Sequence, residues 1–261
     1  MRKNYKNLNE VWFGICDRLI IDGKEFDEEN NILSTTIENK HRVQVVYGNQ
    51  TNDDISISIR LKRNSKVRLK NFHFTKNDKI TLVRAVKNKQ TILISGGTGS
   101  GKTSLLNSLI RFIDPEERII TIENAREIEI DPLIHKNHDA LIYLEDKVEK
   151  ISDLLNATLR MRPDRIIIGE LRNENSYVFL RACNTGHEGT LSTIHANNPK
   201  GAIAALVQNI QTTGNKNYDS KKIEQEILRN INLIVQLKRK RIAGKVVIQG
   251  YLKEVKNAVL Q

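Results

Sequence analysis

The segment TILISGGTGSGKT, from Thr91 to Thr103, carries the strongest indication of the fold class in this sequence. Its first part is an apolar run typical of a buried strand, and its second part matches the phosphate-loop pattern G-x-x-x-x-G-K-[ST]. The residues that follow place apolar side chains on one stripe at helical spacing, namely Leu105, Leu106, Leu109, Ile110 and Ile113. Because a strand, a glycine loop and a helix form the context that the motif requires, the sequence predicts a nucleoside triphosphate site.

Each part of this loop has a physical role. Glycines let backbone N–H groups converge on a β-phosphate without interference from a Cβ, and the following helix adds its positive N-terminus. We expect Lys102 to reach the β- and γ-phosphates of ATP and the Thr103 hydroxyl to ligate Mg²⁺. The predicted binding residues are Gly96, Gly97, Thr98, Gly99, Ser100, Gly101, Lys102, Thr103 and Ser104.

The chain after the loop alternates apolar strands with helical patterns, which predicts βαβ units and a parallel sheet. The predicted strands are Arg118–Ile122, Ala140–Leu144, Ile166–Ile168 and Thr190–Thr193. The predicted helices are Ile151–Arg160, Glu174–Cys183, Gly201–Ile210 and Lys221–Asn230. A closing hairpin is expected from Ile231–Leu237 through Ala243-Gly244 to Val246–Leu252. The predicted fold class is therefore α/β.

The first 60 residues have a different sequence pattern, which predicts short strands and turns. The candidate strands are Val43–Tyr47 and Asp54–Arg60, and in the second of these isoleucines alternate with polar residues. The polar, basic stretch that follows favours a linker. We predict a small α+β domain over residues 1–62, a linker over 63–78 and a P-loop ATPase domain over 79–261.

The composition excludes several classes of protein. No apolar run approaches the roughly 20 residues of a membrane-spanning helix, and the first residues do not read as a cleaved secretory signal. The chain has only two cysteines, Cys16 and Cys183, which exclude a disulfide scaffold or a four-cysteine zinc site. We expect a protein of a reducing cytosol.

The net charge of +11 is unusual and is concentrated in two places. RLKRNSKVRLK (Arg60–Lys70) contains basic residues and no acid, and the tail from Lys216 to Gln261 is also strongly basic. A solvated face and an electrostatic docking surface for nucleic acid or an anionic membrane both fit this pattern. No aromatic residues interleave with the basic ones, which weakens the case for single-stranded nucleic acid.

Acidic and histidine side chains follow several predicted strands. Glu170 ends RIIIGE and is a candidate for the acid that holds the hydration shell of a metal ion. Glu123, in TIENARE (Thr121–Glu127), either orients the attacking water or the metal shell, or is an exposed turn charge. His195 follows an apolar strand and precedes a helix, where open α/β sheets place ligand-contacting side chains. His135 and His138 are interpreted as surface residues.

These segments together resemble the secretion and traffic ATPases. The resemblance rests on the phosphate loop, on TIENARE, on LRMRPDRIIIGELR (Leu159–Arg172) and on NTGHEGTLSTIHANNP (Asn184–Pro199). The N-terminal segments NEVWF (Asn9–Phe13) and RVQVV…ISISIR also resemble this superfamily. The residues of these N-terminal segments are most similar to those of the type IV secretion and conjugation branch.

The resemblance implies a RecA-like domain and a hexameric ring that hydrolyses ATP. It also implies that Glu170 holds the metal shell or acts as the base, with Glu123 as its companion, and that His195 senses the γ-phosphate. Arg42 and Arg60 match positions whose arginines reach the phosphates. Two departures are Asn124, where the family commonly has Asp, and a short N-terminal region.

The resemblance further implies that the protein is cytoplasmic and peripheral to the inner membrane. It also implies that the protein works with inner-membrane secretion machinery. Direct binding of nucleic acid stays open. The alternatives are a type IV pilus assembly or retraction ATPase, a RecA-like DNA translocase, and a nucleotide-gated scaffold that barely turns over.

Overall fold

The computed structural model describes residues 31–37, 41–48, 51, 55–61, 67–143, 149–184, 186–213 and 219–255. The chain divides into two compact units, Met1–Ser65 and Lys66–Gln261. The segment Asn9–Phe13, which carries part of the family resemblance, and Cys16 lie outside the described residues.

The first unit contains a three-stranded antiparallel sheet in the order β1-β2-β3. Its strands are β1 (Ile32–Ile37), β2 (His41–Tyr47) and β3 (Ile55–Arg60). Leu33 lies opposite Val45, and both side chains are buried. The two predicted strands are present, whereas β1 was not predicted because ILSTTI lacks a clear alternation. The described part of this unit shows only strands, so the helical part of the predicted α+β domain stays a prediction.

The second unit contains a seven-stranded sheet in the order β10-β9-β4-β8-β7-β5-β6, parallel except for β10. Its strands are β4 (Ile92–Gly96), β5 (Ile119–Glu123), β6 (His138–Ile142), β7 (Arg165–Ile168), β8 (Leu191–Ile194), β9 (Leu233–Ile242) and β10 (Lys245–Glu254). Its helices are α1 (Lys76–Lys87), α2 (Lys102–Ile110), α3 (Glu149–Arg160), α4 (Asn173–Asn184), α5 (Pro199–Thr213) and α6 (Ser220–Asn230). The predicted α/β fold with a parallel sheet is confirmed.

Helices cover both faces of this sheet, which explains why its central strands β4, β8, β7 and β5 are buried along their whole length. Along β4, Ile92 and Ile94 pack into a cluster with α1 and α2, whereas Leu93 packs into a second cluster with α3, α4, α5 and α6. Successive side chains of a strand point to opposite faces, so the run Ile-Leu-Ile supplies both clusters. This packing fixes the end of β4, where the phosphate loop begins.

The predicted closing hairpin is confirmed, with its strands longer than expected. β9 and β10 are joined by Ala243 and Gly244, whose φ angles are 47° and 76°. Two successive positive φ angles are typical of the type I′ turn, whose twist matches that of the strands. β9 pairs with β4 only as far as Leu237, opposite Gly96, and continues beyond it with β10 alone.

The predicted linker over residues 63–78 differs from the structure in its second half. Leu69, Phe72 and Phe74 are buried in the core of the second unit. Helix α1 then begins at Lys76, because the Thr75 side chain accepts from the backbone N–H of Asp78 in a capping box. The high density of basic residues concealed the spacing of these apolar side chains.

The other predicted helices and strands are present with shifted ends, although Leu144 lies outside the described residues. His135 corrects the sequence interpretation, since this residue is only 1% exposed rather than on the surface. Its carbonyl oxygen lies 2.8 Å from Nδ1 of His138, the first residue of β6. A charged or polar residue type does not by itself reveal burial in a segment that connects two elements.

Candidate nucleotide-binding site

The carboxyl edge of the parallel sheet brings the predicted loop and several polar side chains together. β4 ends in the phosphate loop, β5 ends at Glu123, β7 leads to Glu170 and β8 leads to His195. In open α/β sheets this edge is where ligands bind. The order of the strands therefore places the candidate residues along one side of the unit.

The loop has the backbone conformation that its glycines permit. Gly99 and Gly101 have φ angles of 68° and 85°, in the left-handed region that favours glycine. A Cβ at Gly96 would clash with the Oγ of Ser100 and lie 3.0 Å from the Leu237 carbonyl oxygen, so this position also requires glycine. Ser100 Oγ is buried and has no hydrogen-bond partner among the residues that the structure describes.

The loop leads into the N-terminus of α2, where Gly101 is the N-cap and contributes no side-chain hydrogen bond. Backbone N–H groups in the first turn of a helix need acceptors, and the helix dipole favours negative charge there. A bound phosphate accepts hydrogen bonds from these N–H groups and carries the negative charge that the helix dipole favours. The glycine conformations and the helix end therefore fit the triphosphate that the sequence predicts.

Lys102 lies inside this loop and is only 8% exposed. Its Nζ donates to the carbonyl oxygens of Gly96 and Gly97, at 2.9 and 3.2 Å. The same Nζ lies 3.4 Å from Nδ1 and 3.3 Å from Nε2 of His195. The structure therefore joins the predicted phosphate-binding lysine to the predicted γ-phosphate sensor.

Glu170 lies on the other side of His195. Its Oε1 is 2.8 Å from His195 Nε2, and its Oε2 accepts from Nε of Arg172 at 3.0 Å. Burial and the nearby Lys102 cation lower the pKa of His195, although the Glu170 carboxylate opposes them. The lowered pKa favours the neutral imidazole, and we assign its Nε2–H as the donor to Glu170 because a carboxylate accepts, which leaves Nδ1 to accept from Lys102 Nζ.

Glu123 is 4% exposed, which rules out the interpretation as an exposed turn charge. Its Oε1 accepts from the backbone N–H groups of Glu127 and Ile128, at 3.0 and 2.8 Å. A Cβ at Gly169 would lie 3.2 Å from Glu123 Cγ, so the glycine that precedes Glu170 leaves room for the Glu123 side chain. Through these two bonds Glu123 shapes the segment that follows β5.

Glu127 is a candidate that the sequence reasoning missed. The Thr103 hydroxyl donates to Glu127 Oε2 at 3.2 Å, and Asn107 Nδ2 donates to the Glu127 carbonyl at 3.0 Å. The predicted metal ligands were Thr103 and Glu170. Among the described residues Thr103 instead has Glu127 as its carboxylate neighbour, whereas Glu170 contacts His195 and Arg172. The one signal in the sequence was the acid that ends TIENARE.

A hydroxyl and a carboxylate are oxygen ligands of the kind that Mg²⁺ prefers, so Thr103 and Glu127 fit that ion. Within the described ranges, no group of three or more His, Cys, Asp and Glu side chains could hold a metal ion by itself. In nucleotide sites Mg²⁺ is usually held by one or two protein groups together with substrate phosphates and water.

Arg42 and Arg60 both lie in the first unit. They are direct partners across strands β2 and β3. Directly opposed residues of an antiparallel pair point to the same face of the sheet, so the two side chains share one face. The predicted arginine pair is thus neighbouring in space although its members are distant in the sequence.

Two further groups lie against the loop. A Cβ at Gly99 would come within 3.4 Å of Arg239 Nη1, which places the guanidinium of a β9 residue beside the loop. A Cβ at Gly101 would lie 3.5 Å from the Phe72 ring and 3.7 Å from Ile248. Neither the cation nor the apolar pair was predicted, because all of these residues lie far from the motif in sequence.

A polar cavity of about 380 Å³ lies next to Glu170 and His195. It is lined by Glu170, Leu171, Arg172, Asn173, Glu174, Ile194, His195, Ala205 and Asn209. One face of Glu170 is therefore open to this cavity, while His195 connects its other side to Lys102.

A glycine loop between a parallel strand and a helix, with a buried lysine and a glutamate at a nearby strand end, defines a P-loop nucleotide-binding protein. The chain matches the family described as "Type II/IV secretion system protein" over residues 33–245, and it belongs to that family. This confirms the family to which the sequence motifs pointed.

Relatives in this family are type IV secretion proteins. A region of 127 residues is 45% identical to the type IV secretion system protein PtlH of Bordetella pertussis, covering 47% of this chain and 37% of that protein. A region of 169 residues is 37% identical to the type IV secretion system protein VirB11 of Bartonella quintana, covering 63% of this chain and 46% of that protein. These matches thus span less than half the length of either relative.

The fold is similar to that of the VirB11 ATPase from the Brucella suis type IV secretion system, solved in complex with sulphate. The TM-score is 0.63 at 22% identity, covering 98% of this chain and 84% of that chain. None of the helices among the described residues has the length and apolar character needed to cross a lipid bilayer.

Proposed function

We propose that this protein is an ATPase that powers export through a type IV secretion or conjugation machine. The contact of His195 with both Lys102 and Glu170 carries the proposal. It joins a group suited to bind phosphate to a carboxylate suited to act on water, in a segment whose relatives are type IV secretion proteins.

ATP would bind with its phosphates in the loop, where the N–H groups at the start of α2 and the ammonium of Lys102 favour negative charge. Thr103 and Glu127 would hold Mg²⁺, which neutralises charge on the β- and γ-phosphates when it is bound. A phosphate in the loop competes for Lys102 Nζ with the carbonyl oxygens of Gly96 and Gly97.

Glu170 would orient the attacking water and accept its proton, and the adjoining cavity gives water a route to it. Neutral His195, between Glu170 and Lys102, would respond to the γ-phosphate. Glu123 would act through the segment that carries Glu127. Arg42 and Arg60 are proposed to stabilise charge that develops during phosphoryl transfer, on the strength of the family resemblance.

The proposed partners are further copies of the chain in a hexameric ring and the inner-membrane proteins of a secretion machine. The proposed location is the cytoplasmic side of the inner membrane. The net charge of +11 favours a DNA translocase as a second candidate, and the response of hydrolysis to added DNA separates the two.

The decisive experiment measures ATP hydrolysis by the purified chain, with its mass in solution determined with and without nucleotide. Lys102→Ala should lower hydrolysis by at least about 100-fold, because it removes a charge that stabilises the transferring phosphate. Lys222→Ala, at an exposed position of α6, is the matched control and should keep the wild-type rate.

Magnesium-dependent hydrolysis by a six-subunit particle that is indifferent to DNA supports the proposal. Strong stimulation by single-stranded DNA favours the translocase instead. Binding of ATP without turnover favours a nucleotide-gated scaffold, and undiminished hydrolysis by Lys102→Ala contradicts the assignment of the site.

The proposed role of Arg60 has its own test. Arg60→Ala should lower kcat about 10-fold or more while leaving the affinity for nucleotide nearly unchanged, because charge on the phosphates is greatest during transfer. Steady-state kinetics together with nucleotide titration separate the two quantities. An unchanged kcat would remove Arg60 from the catalytic set.

A further inference from the structure

We infer that Arg172 is a positioning residue that holds the carboxylate of Glu170 in its working orientation. The two oxygens of Glu170 have separate donors, since Oε1 contacts His195 Nε2 at 2.8 Å and Oε2 accepts from Arg172 Nε at 3.0 Å. With one donor on each oxygen, the plane of the carboxylate is fixed. This inference rests on the proposed function of the same site and adds a residue to it.

The backbone that carries Arg172 is itself firmly held. The Arg172 N–H donates to Asn175 Oδ1 at 2.9 Å, and the Arg172 carbonyl accepts from the Ser176 hydroxyl at 2.6 Å. Asn175 is 1% exposed, and its Nδ2 donates to the Glu170 carbonyl at 2.7 Å and to Tyr143 Oη at 3.2 Å. The backbones of Glu170 and Arg172 are therefore both hydrogen-bonded to the buried side-chain amide of Asn175.

The pair is too exposed to be explained as a stabilising ion pair. The side chains of Arg172 and Glu170 are 37% and 24% exposed, and ion pairs of this kind contribute little to the free energy of unfolding. Both residues instead line the cavity next to His195. The contact thus lies where its geometry affects the reacting carboxylate more than it affects the fold.

Arg172 and Lys102 hold different parts of the site. Lys102 contacts the carbonyl oxygens of the loop and His195, whereas Arg172 contacts Glu170 from the side of α4. Loss of Arg172 therefore leaves the phosphate-binding groups in place and frees one oxygen of Glu170. A misdirected base lowers the rate of the chemical step without weakening the binding of ATP.

The test compares Arg172→Gln, Arg172→Lys and the wild-type chain in ATP hydrolysis. Arg181→Gln is the matched control, since Arg181 is an exposed arginine in the last turn of α4. We expect Arg172→Gln to lower kcat between about 10-fold and 100-fold, with KM for ATP within about twofold of wild type. Arg172→Lys should fall between wild type and Arg172→Gln, because lysine keeps the charge without the guanidinium geometry.

A kcat for Arg172→Gln equal to that of wild type overturns the inference, as does a change confined to KM. Equal loss in Arg172→Lys and Arg172→Gln, with thermal unfolding unchanged, supports the inference as well, because it means that the guanidinium geometry rather than the charge holds Glu170. If Arg172→Gln fails to fold, Arg172→Lys decides, since it must still be slower than wild type.

A crystal structure of Arg172→Gln separates this inference from the proposed function. We expect the Glu170 carboxylate to leave the contact with His195 Nε2 or to adopt more than one orientation. A carboxylate unchanged in place overturns the inference even if the chain is an active ATPase. A wild-type chain without hydrolysis contradicts the proposed function, while this structure still decides whether Arg172 orients Glu170.

Discussion

Strand β7 has a charged residue at its start and another just beyond its end, and the two are held in opposite ways. Arg165, at the amino end, is 0% exposed and donates to the Glu117 carboxylate and to the carbonyl oxygens of Val86 and Gly189. Glu170, past the carboxyl end, keeps a side chain that is 24% exposed and is shared between two donors.

This difference separates stability from reactivity within one sheet. A buried cation is tolerated only when it is paired and its N–H groups have acceptors, and Arg165 meets both conditions. A carboxylate that acts on water must instead stay accessible and able to respond to a ligand. The amino edge therefore serves the fold, and the carboxyl edge serves the chemistry.

Arg165→Met gives the largest expected change in stability. It leaves Glu117 and two carbonyl oxygens without their buried partner, so the free energy of unfolding should fall by about 3 kcal/mol. Urea unfolding measures this, and Arg181→Met, at an exposed position, should change it by no more than about 0.5 kcal/mol. Similar effects for both variants would contradict the stabilising role of the amino edge.

Gly189→Ala should disturb the contact between Arg165 and the Gly189 carbonyl, and we expect it to lower the free energy of unfolding by less than Arg165→Met does. Its φ angle is 80°, and a Cβ there would clash with the Arg165 guanidinium, so we expect the free energy of unfolding to fall by about 2 kcal/mol. Gly186→Ala is the matched control, because its φ angle is 85° but no atom lies within 4 Å of the added Cβ. The control should lose only about 1 kcal/mol, from backbone strain alone. Thermal or urea unfolding of both variants compares the two costs.

His135 at the amino edge and His195 at the carboxyl edge extend the comparison to the pH dependence of stability, where we expect the smallest effects. Burial lowers the pKa of His135, with help from the neighbouring His138. Below pH 6.5 the unfolded chain then binds a proton more readily than the folded chain, so stability is lost as the pH falls toward the lowered pKa. His135→Leu should reduce that loss, as measured by urea unfolding between pH 7 and pH 5.

The same substitution at His195 should reduce the acid sensitivity less. Its pKa is also lowered, but its side chain is 51% exposed and the carboxylate of Glu170 opposes the shift. A larger effect at His195 than at His135 would mean that the carboxyl edge, rather than the amino edge, controls the stability of the fold in acid.

The sequence predicts the parts of the fold whose patterns are local. Thr91–Thr103 combines an apolar strand with a motif of fixed spacing, and the turn at Ala243-Gly244 contains a glycine between two extended runs. The burial of Phe72 and Phe74 was missed because basic residues dominate their segment. Their burial depends on contacts with residues distant in sequence, which a local pattern does not contain.

In the candidate site, too, the sequence predicts the residues that follow a local pattern but not the contacts between distant segments. Glu170 and His195 follow apolar strands, and parallel strands bring their carboxyl ends to one edge. The contact of Thr103 with Glu127, and that of Glu170 with Arg172, depend on the course of loops after those strands. Many acidic and basic residues have similar local contexts, so spacing alone does not select these partners.

The extension of β9 beyond Gly96 has a consequence for solubility. From Lys238 to Ile242 this strand pairs with β10 but not with β4, so no strand among the described residues pairs with the other side of its backbone. Such an edge invites pairing with another copy, and Ile242 and Val246 are 57% and 48% exposed nearby. The consecutive cations KRKR at Lys238–Arg241 repel a like edge, and high salt should therefore promote aggregation by screening them.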